Sequence, residues 1–345
     1  MMNKVLFIGA KSGNSYLELL VLKKLFKKTN VIDTKKIFGS NKVYNKIFHH
    51  ILPNLFEKYI NSYILKRIRT TYDLIYVRSG EFISKKLLMN LKKKTKKIVY
   101  YCDDNPFVKR DKKRWKLFLP AAKYYDLIIF HHEDRIIKCK KIGLKNTFLV
   151  FPPYDKNVHK RKLSNVVKKK NDVVFIGSWF PERGIFFQKL IDLGLNLKIY
   201  GNRWEKDPNF NFLRSRVYLG HVGYKNYAKI IQNSKIAISL FSEQNDDLIT
   251  RRVSEITAIG TLLCSMKTKR MEKNFIENKE VIYFKSALEC FNKCKHHLKN
   301  KRLSRKIASK GRYKTTKVLK SSNTETIKKI IKKINLNNYL KLKIF

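Results

Sequence analysis

Residues 245–264 read NDDLITRRVSEITAIGTLLC. Just before them, Ile236-Ala237-Ile238-Ser239-Leu240-Phe241 is a short apolar run bounded by polar residues, the pattern of a buried strand. Thr261-Leu262-Leu263-Cys264 repeats that pattern. Between the runs the spacing predicts a helix that starts near Asp246 and Asp247 and stops at Gly260, with capping residues in front and a terminating glycine behind. A helix that begins beyond a strand's carboxyl end turns its free N–H groups into the crevice where open α/β sheets bind ligands. Its first turns hold Arg251, Arg252 and Glu255, and spacings of three and four put them on one face. A guanidinium fork fits a diphosphate, and an ionised carboxylate accepts from the two hydroxyls of a ribose. The same spacing also makes an ordinary surface ion pair.

Working outward, the chain's 345 residues suit two domains, and its 43% hydrophobic content is ordinary for a globular protein. No long uncharged apolar run predicts a membrane-spanning helix. The N-terminus enters a strand at Lys4-Val5-Leu6-Phe7-Ile8-Gly9, so no signal peptide is expected. A net charge of +51 has two readings. One is a polyanionic partner, nucleic acid or an anionic membrane surface. The other, preferred here, is a compositional lean toward Lys, Asn and Ile, because the lysines are scattered and no nucleic-acid-binding signature accompanies them. Five cysteines, odd in number and unpatterned, fit free thiols in the cytoplasm, with peripheral contact at the inner membrane face as a second reading. Cys290 and Cys294 with His296 and His297 lie on one predicted helix without a second ligand pair, so no metal is expected.

In the first half, the strand ending at Gly9, the turn Ala10–Ser15 and a helix from Tyr16 to Phe26 begin a doubly wound sheet without the GxGxxG fingerprint. Val31–Asp33 is a short strand, and a helical region over 42–69 is kinked or split at Pro53. Strands at Asp73–Val77, Lys97–Tyr101, Asp126–Phe130 and Thr147–Val150 follow. The loop Cys102-Asp103-Asp104-Asn105-Pro106-Phe107 puts two acids at a strand's carboxyl end. They suit a general base or an acceptor-hydroxyl ligand, or they form a strand-stopping Asp–Asn–Pro turn. His131 and His132 fit phosphate binding or acid–base work, and equally a helix start with no role.

The second half restarts the pattern with Asp172–Gly177, the turn Ser178-Trp179-Phe180-Pro181-Glu182-Arg183-Gly184 and a helix to Leu193. Arg183 stands near a helix N-terminus, a sensible phosphate position. The strand Leu197–Tyr200 meets the turn Gly201-Asn202-Arg203-Trp204, and Val217–Gly220 is a further strand. Beyond the opening stretch come the strand Glu280–Phe284, a helix over 301–317 and a tail over 325–342 with isoleucines on one face and lysines on the other. Packing of that tail on the first domain is preferred to lying on a membrane.

Two such domains with a ligand crevice between them resemble the layout of GT-B glycosyltransferases. The second half resembles the spore-protein CgeB/YkvP-like branch, whose C-terminal module is of the glycosyl transferases group 1 type. The resemblance is carried by Val174–Arg183, Ile199–Trp204, Arg252–Gly260 (R-V-S-E-I-T-A-I-G, where the family usually reads R-T-F-E-I-P-A-x-G) and Lys279–Phe284, with Cys102–Phe107 as a shorter match to D-D-x-P-F. It implies two Rossmann-like doubly wound domains facing a central cleft. Residues 1–155 form the acceptor-side domain, 156–170 a basic linker, 171–318 the nucleotide-sugar-binding domain, and 319–345 a basic amphipathic helix packing back on the first domain.

The resemblance further implies a metal-independent hexosyltransferase-like enzyme of cell-surface polysaccharide or glycoconjugate synthesis. It would use a nucleotide-sugar donor, a glycan, lipid-linked or protein acceptor, and no cofactor. Glu255 takes the place of the second acid of the retaining enzymes' E-x7-E motif, which holds the ribose, and Asp247 the first, one methylene shorter than the usual Glu. Arg252 and Arg183 neutralise the departing diphosphate. Gly177, Ser178, Trp179, Gly201 and Asn202 complete the donor site, and Asp104 or Asp103 positions or deprotonates the acceptor. The alternatives are a nucleotide-sugar epimerase on the same fold and a non-enzymatic polyanion binder.

Overall fold

The computed structural model describes residues 4–39, 41–108, 113–161, 169–243 and 246–334. The chain divides into two compact units: Met1–Phe151 with Ser242–Asp247 and Asn323–Phe345, and Pro152–Phe241 with Leu248–Ser322. Each is built on a six-stranded, wholly parallel sheet.

The first sheet contains β1 (Lys4–Gly9), β2 (Lys28–Asp33), β3 (Tyr72–Val77), β4 (Thr95–Tyr101), β5 (Leu127–Phe130) and β6 (Thr147–Leu149), in the order β2-β1-β3-β4-β5-β6. Side chains alternate between the faces of a strand, and here both faces are apolar, as a sheet covered on both sides requires. Leu6, Ile8, Ile75, Val77, Ile98 and Tyr100 enter one core, and Val5, Phe7, Leu74, Tyr76, Val99 and Tyr101 enter another. The helices Gly13–Leu25 and Asn323–Lys333 cover the second core, with Leu22, Ile327, Ile330 and Ile331 buried together. The C-terminal helix thus packs on the first unit, as expected. Residues 335–345, the rest of the expected tail, lie outside the described residues.

The second sheet contains β7 (Asn171–Ile176), β8 (Leu197–Gly201), β9 (Val217–Leu219), β10 (Ser234–Ser239), β11 (Leu262–Met266) and β12 (Ile282–Phe284), in the order β12-β11-β10-β7-β8-β9. The chain runs outward from β7 to β9, then returns to place β10 on the other side of β7. That reversal opens a crevice at the carboxyl ends of β7 and β10, the place where such sheets bind ligands.

Several boundaries differ from expectation. The key helix spans Arg251–Ile259 and starts four residues beyond Asp247, because Asp246 adopts a left-handed turn (φ 51°) and Thr250 is extended. Its end is as read: Gly260 takes φ 83°, and its N–H and that of Thr261 reach back to the carbonyl of Ile256. Pro53 splits the 42–69 region into the helices Lys42–His50 and Glu57–Leu65, joined by a 3-10 turn at Pro53–Phe56. The helix expected over 301–317 is α-helical over Lys301–Tyr313 and widens into a π turn over Lys314–Val318. Of the expected basic linker, residues 162–168 lie outside the described residues, and the part around Asp155 is an ordered turn. There the Asp155 carboxylate accepts from the N–H groups of Asn157 and Val158.

Ile330 is fully buried against the first sheet. Ile330→Ala is expected to destabilise the protein by about 2–5 kcal/mol and Ile330→Val by about 0.5–1.5 kcal/mol, read from urea unfolding curves. Equal unfolding midpoints for all three proteins would contradict the packing of this helix.

Candidate active site

In the second unit, the donor-side candidates converge on the crevice between β7 and β10. Arg252, in the first turn of its helix, donates from Nε to the Ile176 carbonyl oxygen at the end of β7 (2.6 Å). This bond ties the start of the helix to the strand end. The turn after β7 is braced by the turn after β8: the N–H of Gly177 donates to the Tyr200 carbonyl (2.8 Å), and that of Trp179 to the Asn202 carbonyl (2.9 Å). Gly201 must be glycine, because it has φ 150° and a Cβ there would strike the Gly177 carbonyl oxygen. Below, the buried Trp204 indole donates to that same oxygen (2.9 Å). Arg183 is buried, lies over the Phe180 ring (4.6 Å) and donates from NH1 to the Ser178 carbonyl (2.8 Å). Trp179 is fixed by its Nε1 bond to Asp207 (2.6 Å). The structure therefore brings Gly177, Ser178, Trp179, Arg183, Gly201, Asn202 and Arg252 to one sheet edge.

Glu255 is buried one turn further along the helix. Burial pushes the neighbouring Tyr227 phenol well above its usual range, and the Glu255 charge adds to the effect. Burial lowers the pKa of His159 below the usual 6.5, while Glu255 and Asp155 pull the other way. The His159 ring stands edge-on to Tyr227 at 5.9 Å, and its Nδ1 accepts from the Asp155 N–H (3.0 Å). His159 lies within the stretch that reads as linker, so the sequence gives it no role. The only local sign was the Asp155-x3-His159 spacing of a closed turn.

In the first unit, charged groups gather at the carboxyl ends of β1, β3, β4 and β5. Arg78 follows β3, is buried, and pairs with Glu18 (3.2 Å) and with Asp103. Burial works against its charge, but Asp103 and Glu18 more than offset this and hold its pKa well above the ordinary arginine value. The His131 Nε2 lies 2.6 Å from the Tyr101 hydroxyl and 3.4 Å from Asp103. Asp104 pairs with Arg114 (3.0 Å) and is about half exposed. Partial desolvation raises its pKa above the usual carboxylate value, helped by the charges of Asp103 and Glu81 and opposed by Arg114 and Arg135. His131 and His132 are both buried, the first hydrogen-bonded to Tyr101 and the second 3.4 Å from Asp247, unlike a solvated helix start. Arg78 and Arg135 were missed: Arg135 reads as a helix-surface residue, whereas the strand-end position of Arg78 was legible.

Asp247 is placed differently from expectation. It precedes the helix Arg251–Ile259, and its carboxylate receives Arg135 NH2 at 2.7 Å and stands 3.4 Å from His132. It belongs to the first unit, whereas Glu255 belongs to the second.

The metal reading of Cys290, Cys294, His296 and His297 changes partners. Cys264, Cys290 and Cys294 have their sulphurs within 4.8 Å of one another inside the apolar core, without either histidine. The His297 Nδ1 instead faces the Ser304 hydroxyl at 3.2 Å. Among the described residues no helix is long and apolar enough to cross a membrane.

A family model described as "Glycosyl transferase-like" matches residues 183–326. No curated protein matches. Among solved structures, sucrose-phosphate synthase from Thermosynechococcus elongatus is 11% identical, with a TM-score of 0.68 over 96% of this chain and 99% of that one. HepE from Anabaena in complex with UDP is 14% identical, with a TM-score of 0.66 over 96% and 100%. A glycosyltransferase from Rickettsia africae is 13% identical, with a TM-score of 0.63 over 98% and 99%. The fold is GT-B, and residues 183–326 are similar to a glycosyl transferase-like domain. The epimerase and polyanion-binding alternatives gain no support from these likenesses.

A histidine kept neutral by burial makes folding sensitive to acid. His159 is lowered below 6.5, and His297 is lowered to about 4, by burial first and then by His296 and Lys293. The unfolded chain binds these protons more readily, so stability is complete above about 6.5 and falls as pH drops toward the folded-state values. The melting temperature is expected to decline over that window, and less so in His159→Asn and His297→Asn. Identical pH profiles for the wild type and both variants would contradict the burial effect.

Proposed function

We propose that the chain transfers a sugar from a nucleotide-sugar donor to an acceptor hydroxyl, as a member of the CgeB/YkvP-like group. The observation that carries this reading is the placing of Arg252 and Glu255 on one helix beside the switch point between β7 and β10. HepE, a structural neighbour, is described in complex with UDP and with UDP-glucose. A UDP-sugar is therefore the first donor to test.

In the proposed reaction the bond from the sugar's anomeric carbon to the diphosphate breaks, and a bond to the acceptor oxygen forms. The diphosphate leaves with the bonding electrons. Arg252, Arg183 and the N–H groups at the helix starts meet the charge that develops there, and this is where a preorganised site lowers the barrier most. Glu255 accepts from the ribose hydroxyls, with Gly177, Ser178, Trp179, Gly201 and Asn202 around the nucleotide. Asp104 has a raised pKa and a half-exposed side chain, both suited to taking the acceptor's proton. Asp103, held by Arg78, positions the acceptor-side network. Asp247 stands for the first acid of E-x7-E and acts with Arg135 and His132. The acceptor is a glycan, a lipid-linked sugar or a protein, and the charge stabilisation rests on guanidinium groups and not on a bound metal.

Purified protein screened by thermal shift against UDP-, GDP- and dTDP-sugars should melt higher with the correct donor. Arg252→Lys keeps the charge but loses the fork, and Glu255→Ala loses the ribose acceptor. Each is expected to weaken donor binding about tenfold or more, the effect of one charge-assisted hydrogen bond. Unchanged donor affinity in both would refute the site, and product analysis showing an isomerised donor would refute transfer.

A further inference from the structure

Between β2 and β3 the chain forms the helix Lys42–His50, the turn Pro53–Phe56 and the helix Glu57–Leu65. Their inner sides are core: Phe48, Pro53, Ile60 and Ile64 are buried. Their outer sides are also apolar. Leu55 is 69% exposed, Val43 63% and Tyr59 51%, and Tyr44, Ile51 and Leu52 are nearly as open.

These residues lie on adjoining elements, and the two tyrosines share one aromatic base. The Tyr44 ring lies 5.7 Å from Phe56, Phe56 lies 4.9 Å from Phe38, and Phe38 lies 6.1 Å from Tyr59. The Tyr59 hydroxyl donates to the Ile37 carbonyl (2.8 Å), which fixes that ring at the edge. Single exposed apolar residues are ordinary, but six on adjoining short elements mark an interaction surface.

The surrounding charge has one sign. From residue 34 to residue 71 there are eight Lys or Arg and a single acid, Glu57. Lys46, Lys58, Lys66 and Arg67 are exposed, and the Arg67 guanidinium lies over the Tyr63 ring at 3.5 Å. A segment that exposes aliphatic residues, tyrosines and cations together is complementary to an anionic bilayer. Aliphatic tips enter the acyl boundary, tyrosines sit at headgroup level, and lysines meet lipid phosphates.

We propose that this face of the first unit docks on the surface of anionic lipid bilayers. The inference goes beyond sugar transfer and does not depend on it. The test is co-sedimentation of the full chain with vesicles of phosphatidylcholine alone or mixed with phosphatidylglycerol. Leu55→Glu and Val43→Glu remove patch residues. Leu288→Glu is the control, because Leu288 is 57% exposed on a helix of the second unit, so the charge change is identical. The wild type and the Leu288→Glu control should bind the phosphatidylglycerol vesicles and leave the neutral ones in solution. The two patch variants should bind about tenfold more weakly or worse, with melting temperatures unchanged. The proposal is overturned if the wild type ignores anionic vesicles, or if the patch variants bind like the control. It is also overturned if light scattering shows Leu55→Glu splitting a dimer, since a second copy would then cover the patch.

Discussion

The bond from Arg252 Nε to the Ile176 carbonyl oxygen is the contact on which the second unit's site depends. A parallel sheet leaves the last carbonyls of its strands unpaired at one edge, and each must find a donor there. By supplying that donor from a side chain, the helix fixes its own start against β7. Among the described residues, the outer N–H groups of the guanidinium make no further hydrogen bond at this edge. One residue thus ends a strand, seats a helix and presents positive charge at the switch point. The glycine crossing beneath it serves the same end. Gly201 lets the turn after β8 press against Gly177, and Trp204 fills the space below, so the floor of the crevice is backbone held rigidly from three sides.

The first unit solves a different problem. It buries Arg78 and Arg135 at the carboxyl ends of its strands, where an unpaired charge would be very costly. Each is matched by acids: Glu18 and Asp103 for one, Asp247 for the other. The same pairing fixes the acids, so a carboxylate such as Asp103 has a defined orientation before any ligand arrives. Asp104 is the looser neighbour, paired with Arg114 and with half its side chain in water. Two adjacent aspartates therefore acquire different character from their surroundings alone.

Much of this was legible in the sequence, for identifiable reasons. Strands such as Asp73–Val77 and Asp172–Gly177 are short apolar runs ending in turn residues, and a sheet buried on both faces needs continuous runs of that kind. Gly260 ended its helix as read because only a left-handed residue can close it there. The start of that helix was misplaced because Asp246 and Asp247 are good capping residues that here make a turn instead, their side chains being drawn to Lys138 and Arg135. Long-range partners decided that outcome, and local spacing carries no trace of them. Arg135 and His159 were missed for the same reason: each looks like a surface residue until the chain folds around it.

Charge shows how composition and architecture combine. The chain has 77 Lys and Arg against 26 acids, so acids are scarce. Several of the few are not on the surface balancing lysines. Glu18, Glu81, Asp155 and Glu255 are buried, and Asp103 and Asp247 are ion-paired beside the strand ends. Arginines are buried with them, Arg135, Arg183, Arg251 and Arg270 among them, so the outside stays about as cationic as the composition makes it, and a screened, repulsive shell costs little at physiological ionic strength. Where that shell is purely polar it only keeps the protein soluble. Where it rings exposed leucine, valine and tyrosine, as between β2 and β3, the same lysines become attachment points for an anionic surface, because apolar insertion and charge attraction then act on one face together.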